Sequence, residues 1–244
     1  MIDTPREIWV YLAAHPLLNL TLTLAAYLVG DYLFRKSGQK AIFNPVLIAI
    51  AILVTILLLT GVSYDTYFEG AQFVHFLLGP ATVALAVPLY RQFERVRQSG
   101  LAILVSLLGG SLAAVLSATL IASLLGAPQN VVASIAPKSA TTPIAMGISE
   151  QLGGFPSLTA VLVILTGILG AMFGTTLLNW LRIKDAGAQG FALGLASHGI
   201  GTARALQVSE VTGAFSALAM GLNGLATSLL APLILHLLRQ WLWP

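Results

Sequence analysis

The feature that most constrains this chain is a succession of eight apolar stretches joined by short connections. They cover residues 17–34, 45–63, 71–90, 101–125, 129–149, 156–181, 187–207 and 212–238. A helix needs roughly 20 apolar residues to cross the bilayer core. Only 9% of the residues are charged, whereas a soluble domain carries about 25%, so charges are too few to cover a water-facing surface. The pattern predicts an all-α polytopic membrane protein with about seven to eight membrane segments in a single domain, residues 1–244.

Residues 1–16 predict a short helix at the membrane interface, ahead of the first span. Thr4 suits the cap of such a helix, and Glu7 completes a capping box. Trp9 and Tyr11 are residue types that favour the boundary between lipid and water. A second interpretation stays open, in which these residues simply begin the first span.

Three of the apolar segments contain glycines and prolines that disfavour an unbroken helix. Proline removes an amide donor and clashes with the preceding turn, while glycine lowers helix propensity. A single proline is usually a harmless kink, but broken helices in hydrocarbon require protein or water around the freed backbone groups. Three interrupted segments that also hold polar residues therefore favour interruptions that serve a site. The predicted breaks lie at Gly79, Pro80, Pro137, Pro143, Gly199 and Gly201.

Basic residues between the segments predict how the chain crosses the membrane. The three clusters are Arg35, Lys36 and Lys40; Arg91, Arg95 and Arg97; and Arg182 and Lys184. The positive-inside rule favours all three clusters on the cytoplasmic side. This is satisfied if segment 129–149 is re-entrant, which gives about seven crossings, an external N-terminus and Arg239 inside. A faint similarity between residues 79–88 and 136–143 also favours internal repeats, as in many transporters.

The stretch SIAPKSATTPIAMG, residues 134–147, places Lys138 between two prolines in an apolar segment. Ten of the 12 basic residues lie at segment ends or in loops, and Lys138 is one of the two that do not. A charge near the bilayer centre costs about 2.5–3.5 kcal/mol even on lenient scales, so such a residue usually faces a cavity. The alternative is a lysine that extends to the membrane interface.

The neighbours of Lys138 favour the cavity. Ser139, Thr141 and Thr142 supply hydroxyls, and a half-helix that begins after Pro137 would direct its amides and positive dipole end to the same place. Ammonium, hydroxyls and helix N-terminus together predict a site for a small anion, and a carboxylate is the best candidate.

The stretch GLASHGIGTARALQ, residues 194–207, holds the second group of candidates. His198 is either a hydrogen-bonded core histidine or a ligand contact that carries a coupling proton, because an ordinary histidine pKa near 6.5 suits that role. Arg204 either binds a carboxylate with both guanidinium arms or pairs with Glu210. The sequence leaves both alternatives open for each residue.

Acidic and amide side chains give a third group. Glu150 and Glu210 are candidates for carrying a coupling proton, although their positions near segment ends favour a plain interfacial role. Asn44 and Asn223 are candidates for polar contacts, and an inter-helix hydrogen bond is favoured for both. Because Asn223 lies deep in a span, it is also a candidate substrate ligand.

Several functional classes find no support in the sequence. Cysteine is absent, and the 4 histidines lack the spacing of a metal site. HGIGTAR lacks the preceding strand and the third glycine of a dinucleotide-binding loop, and no GxxxxGK, HExxH or GxSxG motif is present. The basic residues form no continuous face for nucleic acid. We therefore expect no enzymatic activity, cofactor, metal or nucleic-acid partner.

Gly170 and Gly174 form a GxxxG pattern in segment 156–181. This pattern favours the close approach of two helices. It fits packing inside one protomer as well as packing between two copies. We expect a homo-oligomer, and a dimer above other states.

Five stretches resemble the signature sequences of the LrgB/CidB family and run in order through nearly the whole chain. They are NPVLIAI (44–50), FLLGPATVALAVPLY (76–90), SIAPKSATTPIAM (134–146), GLASHGIGTARAL (194–206) and GAFSALAMGLNG (213–224). Bacterial members are described as antiholin-like regulators of murein hydrolase activity and autolysis, with a small holin-like LrgA/CidA partner. The related plastidic protein carries glycolate and glycerate, and bacterial relatives are linked to pyruvate uptake.

The resemblance and the residues together predict a secondary transporter of small monocarboxylates, such as glycolate, glycerate, lactate or pyruvate. Its partners would be a small anionic substrate and the lipid of a bacterial cytoplasmic (inner) membrane. The alternative is an antiholin-like regulator of autolysis that acts with a small LrgA/CidA-like membrane partner.

Overall fold

The computed structural model describes residues 16–242, so the helix predicted for residues 1–16 lies almost entirely outside it. The described chain holds twelve α-helices, one 3-10 turn at Ala41–Phe43 and no strand. The helices are α1 Pro16–Lys36, α2 Pro45–Thr60, α3 Tyr64–Phe76, α4 Leu78–Ala84, α5 Ala86–Arg91, α6 Phe93–Gln98, α7 Gly100–Leu124, α8 Gln129–Ile135, α9 Thr142–Gln151, α10 Pro156–Trp180, α11 Ala186–Val208 and α12 Glu210–Leu242. The predicted all-α class is confirmed.

Five apolar helical stretches in the described chain are long enough to cross a membrane. They are Pro16–Lys36, Tyr64–Arg91, Gly100–Leu124, Pro156–Trp180 and Glu210–Gln240, and Pro45–Thr60 is a shorter apolar helix. The chain is therefore an integral membrane protein. The described residues group into two compact units, divided after Ala84.

The first unit contains α1 to α4. Asn19 on α1 donates to the carbonyl of Thr66 on α3 at 3.1 Å, and Thr23 meets the hydroxyl of Tyr67 at 2.8 Å. Asn44 caps α2, because its side chain accepts from two amides of the first turn. The inter-helix hydrogen bond predicted for Asn44 is therefore wrong.

Prolines explain the interruptions between α3 and α5. A proline ring clashes with the carbonyl four residues earlier, and α3 and α4 end at Phe76 and Ala84, four residues before Pro80 and Pro88. Each interruption is one residue long, so Gly79 and Pro80 lie inside the first turn of α4 rather than in an open break. The stretch 79–88 thus differs from 136–141, where six residues leave the helix. The similarity between the two sequences is not matched by their local conformation.

The second unit has an end that we call the arginine end, defined by Arg91, Arg95, Asp185 and Glu210. Arg91 and Glu210 form an ion pair at 3.6 Å, and Arg95 and Asp185 line one cavity together with Val211. Helices α7, α11 and α12 therefore all begin at the arginine end. Helix α10 ends there, because Gln189 donates to Asn179 at 3.0 Å. The second and third basic clusters consequently share one side, as the positive-inside rule requires.

Residues 129–151, α8 and α9, form what we call the first hairpin. Helix α7 runs away from the arginine end, and α10 runs back toward it. The first hairpin lies between these two helices in the chain, so both of its ends are at the end of the unit opposite the arginine end. Between α8 and α9 the chain is non-helical at residues 136–141, which contain Pro137, while Pro143 lies in the first turn of α9. This geometry agrees with the predicted re-entrant segment.

Helix α11 also turns back, and we call it the second hairpin. His198 has φ 42° and ψ −134°, a left-handed conformation inside the helix. In the half of α11 before His198, Gly190 and Gly194 lie against the backbone of Thr212 and Ser216. This half therefore runs parallel to α12. In the half after His198, Leu206 lies against Gly213, so this half runs antiparallel to α12.

The second hairpin changes the predicted topology in two respects. Its first half, residues 186–197, is about 18 Å long, too short for a hydrocarbon core of about 30 Å. The crossing predicted for 187–207 is therefore wrong, and the described chain has five helical stretches long enough to cross, with Pro45–Thr60 as a shorter apolar helix. Arg239 donates to the carbonyl of Leu152 at 2.8 Å, so it lies opposite the arginine end and not on the predicted inner side.

Cysteine labelling tests this topology directly, since the chain contains no native cysteine. Lys184, Gln207 and Gln151 are exposed. We expect cysteines at 184 and 207 to react with an impermeant maleimide from the same side of the membrane, and a cysteine at 151 to react from the other side. Labelling of 184 and 207 from opposite sides would mean that α11 crosses.

A matched pair of glycines tests the packing of α11 on α12. A Cβ at Gly194 would collide with the Ser216 carbonyl, whereas a Cβ at Gly221 meets nothing within 4 Å. We expect Gly194→Ala to destabilise the protein by about 1–3 kcal/mol through overpacking. Gly221→Ala should be neutral or stabilising, because alanine favours helix by up to about 1 kcal/mol. Thermal unfolding in detergent measures both, and equal melting temperatures would contradict the close contact.

Candidate functional site

The tips of the two hairpins meet at Asn223 on α12. Its amide nitrogen donates to the carbonyls of Ser139 in the first hairpin and Leu195 in the second, each at 3.0 Å. Its oxygen accepts from Ser111 on α7 at 2.6 Å and from Thr227 at 3.3 Å. These bonds use both donors and both lone pairs of the carboxamide, and Asn223 is 0% exposed. The inter-helix hydrogen bond favoured for Asn223 is thus confirmed, and the geometry gives this residue a joining role.

Buried hydroxyls fix the first hairpin to α10. Thr159 donates from α10 to the Ser149 hydroxyl at 2.7 Å and approaches the Ser134 carbonyl at 3.0 Å. The Ser134 hydroxyl accepts from the Phe155 amide at 2.8 Å. All three hydroxyl residues are fully buried. Both arms of the hairpin are therefore held to the same helix, on the side away from the arginine end.

His198 forms the tip of the second hairpin. Its Nε2 donates to the carbonyl of Val163 on α10 at 2.9 Å, and its own carbonyl accepts from Thr202 at 2.8 Å. The ring lies against Gly167, where a Cβ would meet it at 2.7 Å. The positive φ of a non-glycine residue is strained, and these two bonds and the contact with α10 hold it. The backbone thus breaks at His198 itself, while the predicted positions Gly199 and Gly201 lie in the returning half.

Lys138 lies in the tip of the first hairpin and is half-buried. Its ammonium donates to the Ser139 hydroxyl at 3.3 Å. The ion pairs within residues 16–242 are Arg35–Asp31 and Arg91–Glu210, so no described carboxylate neutralises Lys138. Its neighbour Ser139 and Leu195, which lies three residues before His198, bond to the same carboxamide of Asn223.

Lys138 also lines an open groove of about 410 Å³. Its other walls are Ser117, Ala118, Ile121, Ala122, Leu125, Ala127 and Ile135. The groove is apolar apart from Ser117 and Lys138. A small molecule in it would therefore meet hydrocarbon on most sides and a cation at one point.

The N-terminus of α9 faces the break beside Lys138. Thr141 is the N-cap residue, and its side chain makes no capping hydrogen bond. The amides of the first turn of a helix have no partner within the helix and carry its positive dipole end. The hydroxyls of Thr141 and Thr142, both half-buried, make no hydrogen bond within the described chain. Donors that favour a negative group are thus present at this break.

Three charged candidates lie elsewhere. Glu150 is exposed on α9 and belongs to the end of the first hairpin away from its tip. Glu210 pairs with Arg91, not with Arg204, and Arg204 donates to Gln207 at 3.1 Å. The hairpin tips therefore bring Lys138 together with His198, but they bring in neither glutamate. No group of three histidine or acidic residues in the described chain could hold a metal ion.

Sequence reasoning missed two partners in this region. Ser111 follows Gly109 and Gly110 in an apolar span. A serine in such a span usually has a hydrogen-bond partner on another helix, and this was the sequence signal for its contact with Asn223. The Val163 carbonyl gives no sequence signal, because any residue type supplies a carbonyl. Gly170 and Gly174 lie against Ser197 and Leu193, so their GxxxG pattern serves packing within one protomer.

Removing the carboxamide of Asn223 tests its joining role. Asn223→Ala leaves the Ser139 and Leu195 carbonyls without a donor, and each buried unsatisfied group costs about 1–3 kcal/mol. We expect a destabilisation of about 2 kcal/mol or more, measured by denaturation in mixed micelles. The control, Thr227→Val, removes only the 3.3 Å contact and should change stability by less than about 1 kcal/mol. Equal effects of the two substitutions would contradict this role.

Comparisons with known proteins identify relatives of the chain in several bacteria. The model of the LrgB-like family matches residues 23–237. The Bacillus subtilis protein YwbG is 37% identical over 219 residues, which is 90% of this chain and 97% of that protein. A protein of Haemophilus influenzae is 37% identical over 203 residues, 83% and 88% of the two chains. The "Antiholin-like protein LrgB" of Bacillus cereus is 31% identical over 220 residues, 90% and 96%. No solved structure matches the chain.

Proposed function

The chain belongs to the LrgB-like family, and from the geometry of its hairpin tips we propose that it is a secondary transporter of small monocarboxylates. The substrate class is that of glycolate, glycerate, lactate and pyruvate, and the membrane is the bacterial cytoplasmic membrane. The observation that carries this proposal is Lys138, a half-buried cation at a helix break with no described acidic partner. The protein moves its substrate without chemical change and is not an enzyme.

The carboxylate of the substrate binds the ammonium of Lys138 and the free amides at the start of α9. A charge-assisted hydrogen bond is about twice as strong as a neutral one, and the groove beside Lys138 offers few other polar groups that could compete for the carboxylate. The hydroxyl or keto group of the substrate meets Thr141 or Thr142, which have no other hydrogen-bond partner in the described chain. This pairing of a charge with a nearby hydroxyl favours 2-hydroxy and 2-keto acids over simple fatty acids.

The arrangement of the hairpins supports alternating access. The first hairpin enters from one end of the second unit and the second hairpin enters from the arginine end. Each hairpin tip therefore lies between the middle of the unit and a different side of the membrane. Transporters commonly place such discontinuous helices around a central site and move one bundle against another. Movement of either hairpin away from Asn223 would open the site toward one side only.

His198 is the best candidate for a coupling proton. It is 5% exposed, it lies at a hairpin tip, and its charge would repel that of Lys138. Binding of the anionic substrate at Lys138 and protonation of His198 are therefore linked by electrostatics. Glu150 and Glu210 lie away from the tips and take no part in the proposed cycle.

Uptake into proteoliposomes tests the proposal. With radiolabelled glycolate or pyruvate we expect saturable uptake by the wild type and a loss of at least about tenfold in Lys138→Ala, because one charge-assisted interaction contributes about 1.5–3 kcal/mol. Lys184→Ala is the matched control, since Lys184 is an exposed lysine next to α10. It should transport like the wild type. Normal uptake by Lys138→Ala would show that the substrate does not bind at Lys138.

A second candidate function comes from the names of the relatives. The Bacillus cereus proteins called antiholin-like cover this chain almost completely at 31% identity. An antiholin-like regulator would act on autolysis through contacts with a small LrgA/CidA-like membrane partner or a second copy. Wild-type protein that transports no monocarboxylate but changes the autolysis rate of cells would favour this function. The two functions are compatible, because carboxylate flux can itself alter autolysis.

A further inference from the structure

A second cavity, at the arginine end, carries features that the proposed transport site does not use. It has a volume of about 410 Å³ and lies between the starts of α7, α11 and α12. Arg95 and Asp185 are its charged residues, and Gln98 and Ser99 add polar groups. Ile103, Phe191, Val211 and Phe215 give it apolar walls. The cavity is thus polar at one side and apolar at the other.

The two charges of this cavity do not neutralise each other. The ion pairs of the described chain include neither Arg95 nor Asp185, so their charged atoms are more than 4 Å apart. One oxygen of Asp185 accepts from the Ala188 amide at 2.7 Å as the cap of α11. Its other oxygen, like the guanidinium of Arg95, makes no hydrogen bond within residues 16–242. The cavity therefore presents one positive and one negative group, separated and both available.

We propose that this cavity binds a short zwitterion, with its phosphate or carboxylate at Arg95 and its ammonium at Asp185. A purely anionic ligand would satisfy Arg95 but would be repelled by Asp185, and a cation would face the reverse problem. A ligand with both charges avoids either cost, because Arg95 and Asp185, which are both exposed, then each face an opposite charge. The apolar walls cover the part of the ligand that carries no charge.

The position of the cavity favours the head group of a zwitterionic phospholipid. The cavity lies where membrane-crossing helices α7 and α12 begin, which is the depth of lipid head groups. Basic pockets between transmembrane helices on the cytoplasmic side bind the phosphates of anionic lipids, and here the carboxylate of Asp185 adds a partner for an ammonium. Phosphatidylethanolamine carries the required phosphate and ammonium, and its acyl chains would continue along the apolar walls. A free zwitterion of the same chemistry would use the same two side chains.

Thermal stabilisation of the detergent-purified full chain tests the proposal. The probes are short-chain phosphatidylethanolamine, short-chain phosphatidylglycerol, which lacks the ammonium, and soluble O-phosphoethanolamine. We expect phosphatidylethanolamine to raise the melting temperature of the wild type more than phosphatidylglycerol does. Equal stabilisation by the two lipids would overturn the proposal without the need for any variant.

Two charge-removing variants locate the site. Asp185→Asn keeps a good helix cap and removes only the negative charge, while Arg95→Gln keeps a polar side chain. Each should weaken the apparent affinity for phosphatidylethanolamine at least about tenfold, as expected for the loss of one charge-assisted bond. Arg97→Gln is the matched control, because Arg97 is exposed on the same helix and does not line the cavity. Unchanged affinity in both cavity variants would overturn the proposal.

The soluble probe identifies the source of the zwitterion. Stabilisation by phosphatidylethanolamine alone assigns the cavity to a lipid head group. Equal stabilisation by O-phosphoethanolamine, lost in both Arg95→Gln and Asp185→Asn, assigns it to a soluble zwitterion. Either result supports the site and neither depends on transport at Lys138.

Discussion

The structure of the second unit depends on how backbone carbonyls are satisfied where two helices break inside a membrane protein. Hydrocarbon offers no hydrogen-bond donor, so a carbonyl released at a break must find one within the protein. Asn223 supplies both donors, to Ser139 and to Leu195. One fully buried side chain therefore makes two interruptions tolerable at once and brings them to the same place.

Close packing of small residues makes that meeting possible. Gly190 and Gly194 allow the backbone of α11 to touch the backbone of α12, and this contact allows the second hairpin to fold back within the unit. Gly167 leaves room for the ring of His198. Membrane helices lack a hydrophobic force between them, so such close contacts and interhelical hydrogen bonds provide much of their association energy. The same contacts hold the uncommon backbone conformation of His198.

The sequence was sufficient to predict the membrane class, the eight segments and the interruption near Pro137, because composition and helix-breaking residues report these features directly. It failed at the second hairpin. Segment 187–207 is as long as a span, and the turn occurs at His198, where a positive φ remains uncommon although histidine adopts it more often than most residues. Asn223 was recognised as unusual, but its two partners are carbonyls, which have no sequence signature. The pairing of Glu210 with Arg91 was likewise hidden, because the two residues are far apart in the chain.

The two hairpin tips meet beside Lys138 in the middle of the second unit, and the proposed site depends on this meeting. Spin labels on cysteines at 141 and 199 measure this most directly, since Thr141 is half-buried and a Cβ at Gly199 meets only the Met220 sulfur at 3.9 Å. In lipid nanodiscs we predict strong dipolar broadening for the pair 141/199 and much weaker broadening for the pair 141/207, whose second label lies at the arginine end. Equal broadening for the two pairs, or none for 141/199, would contradict the account.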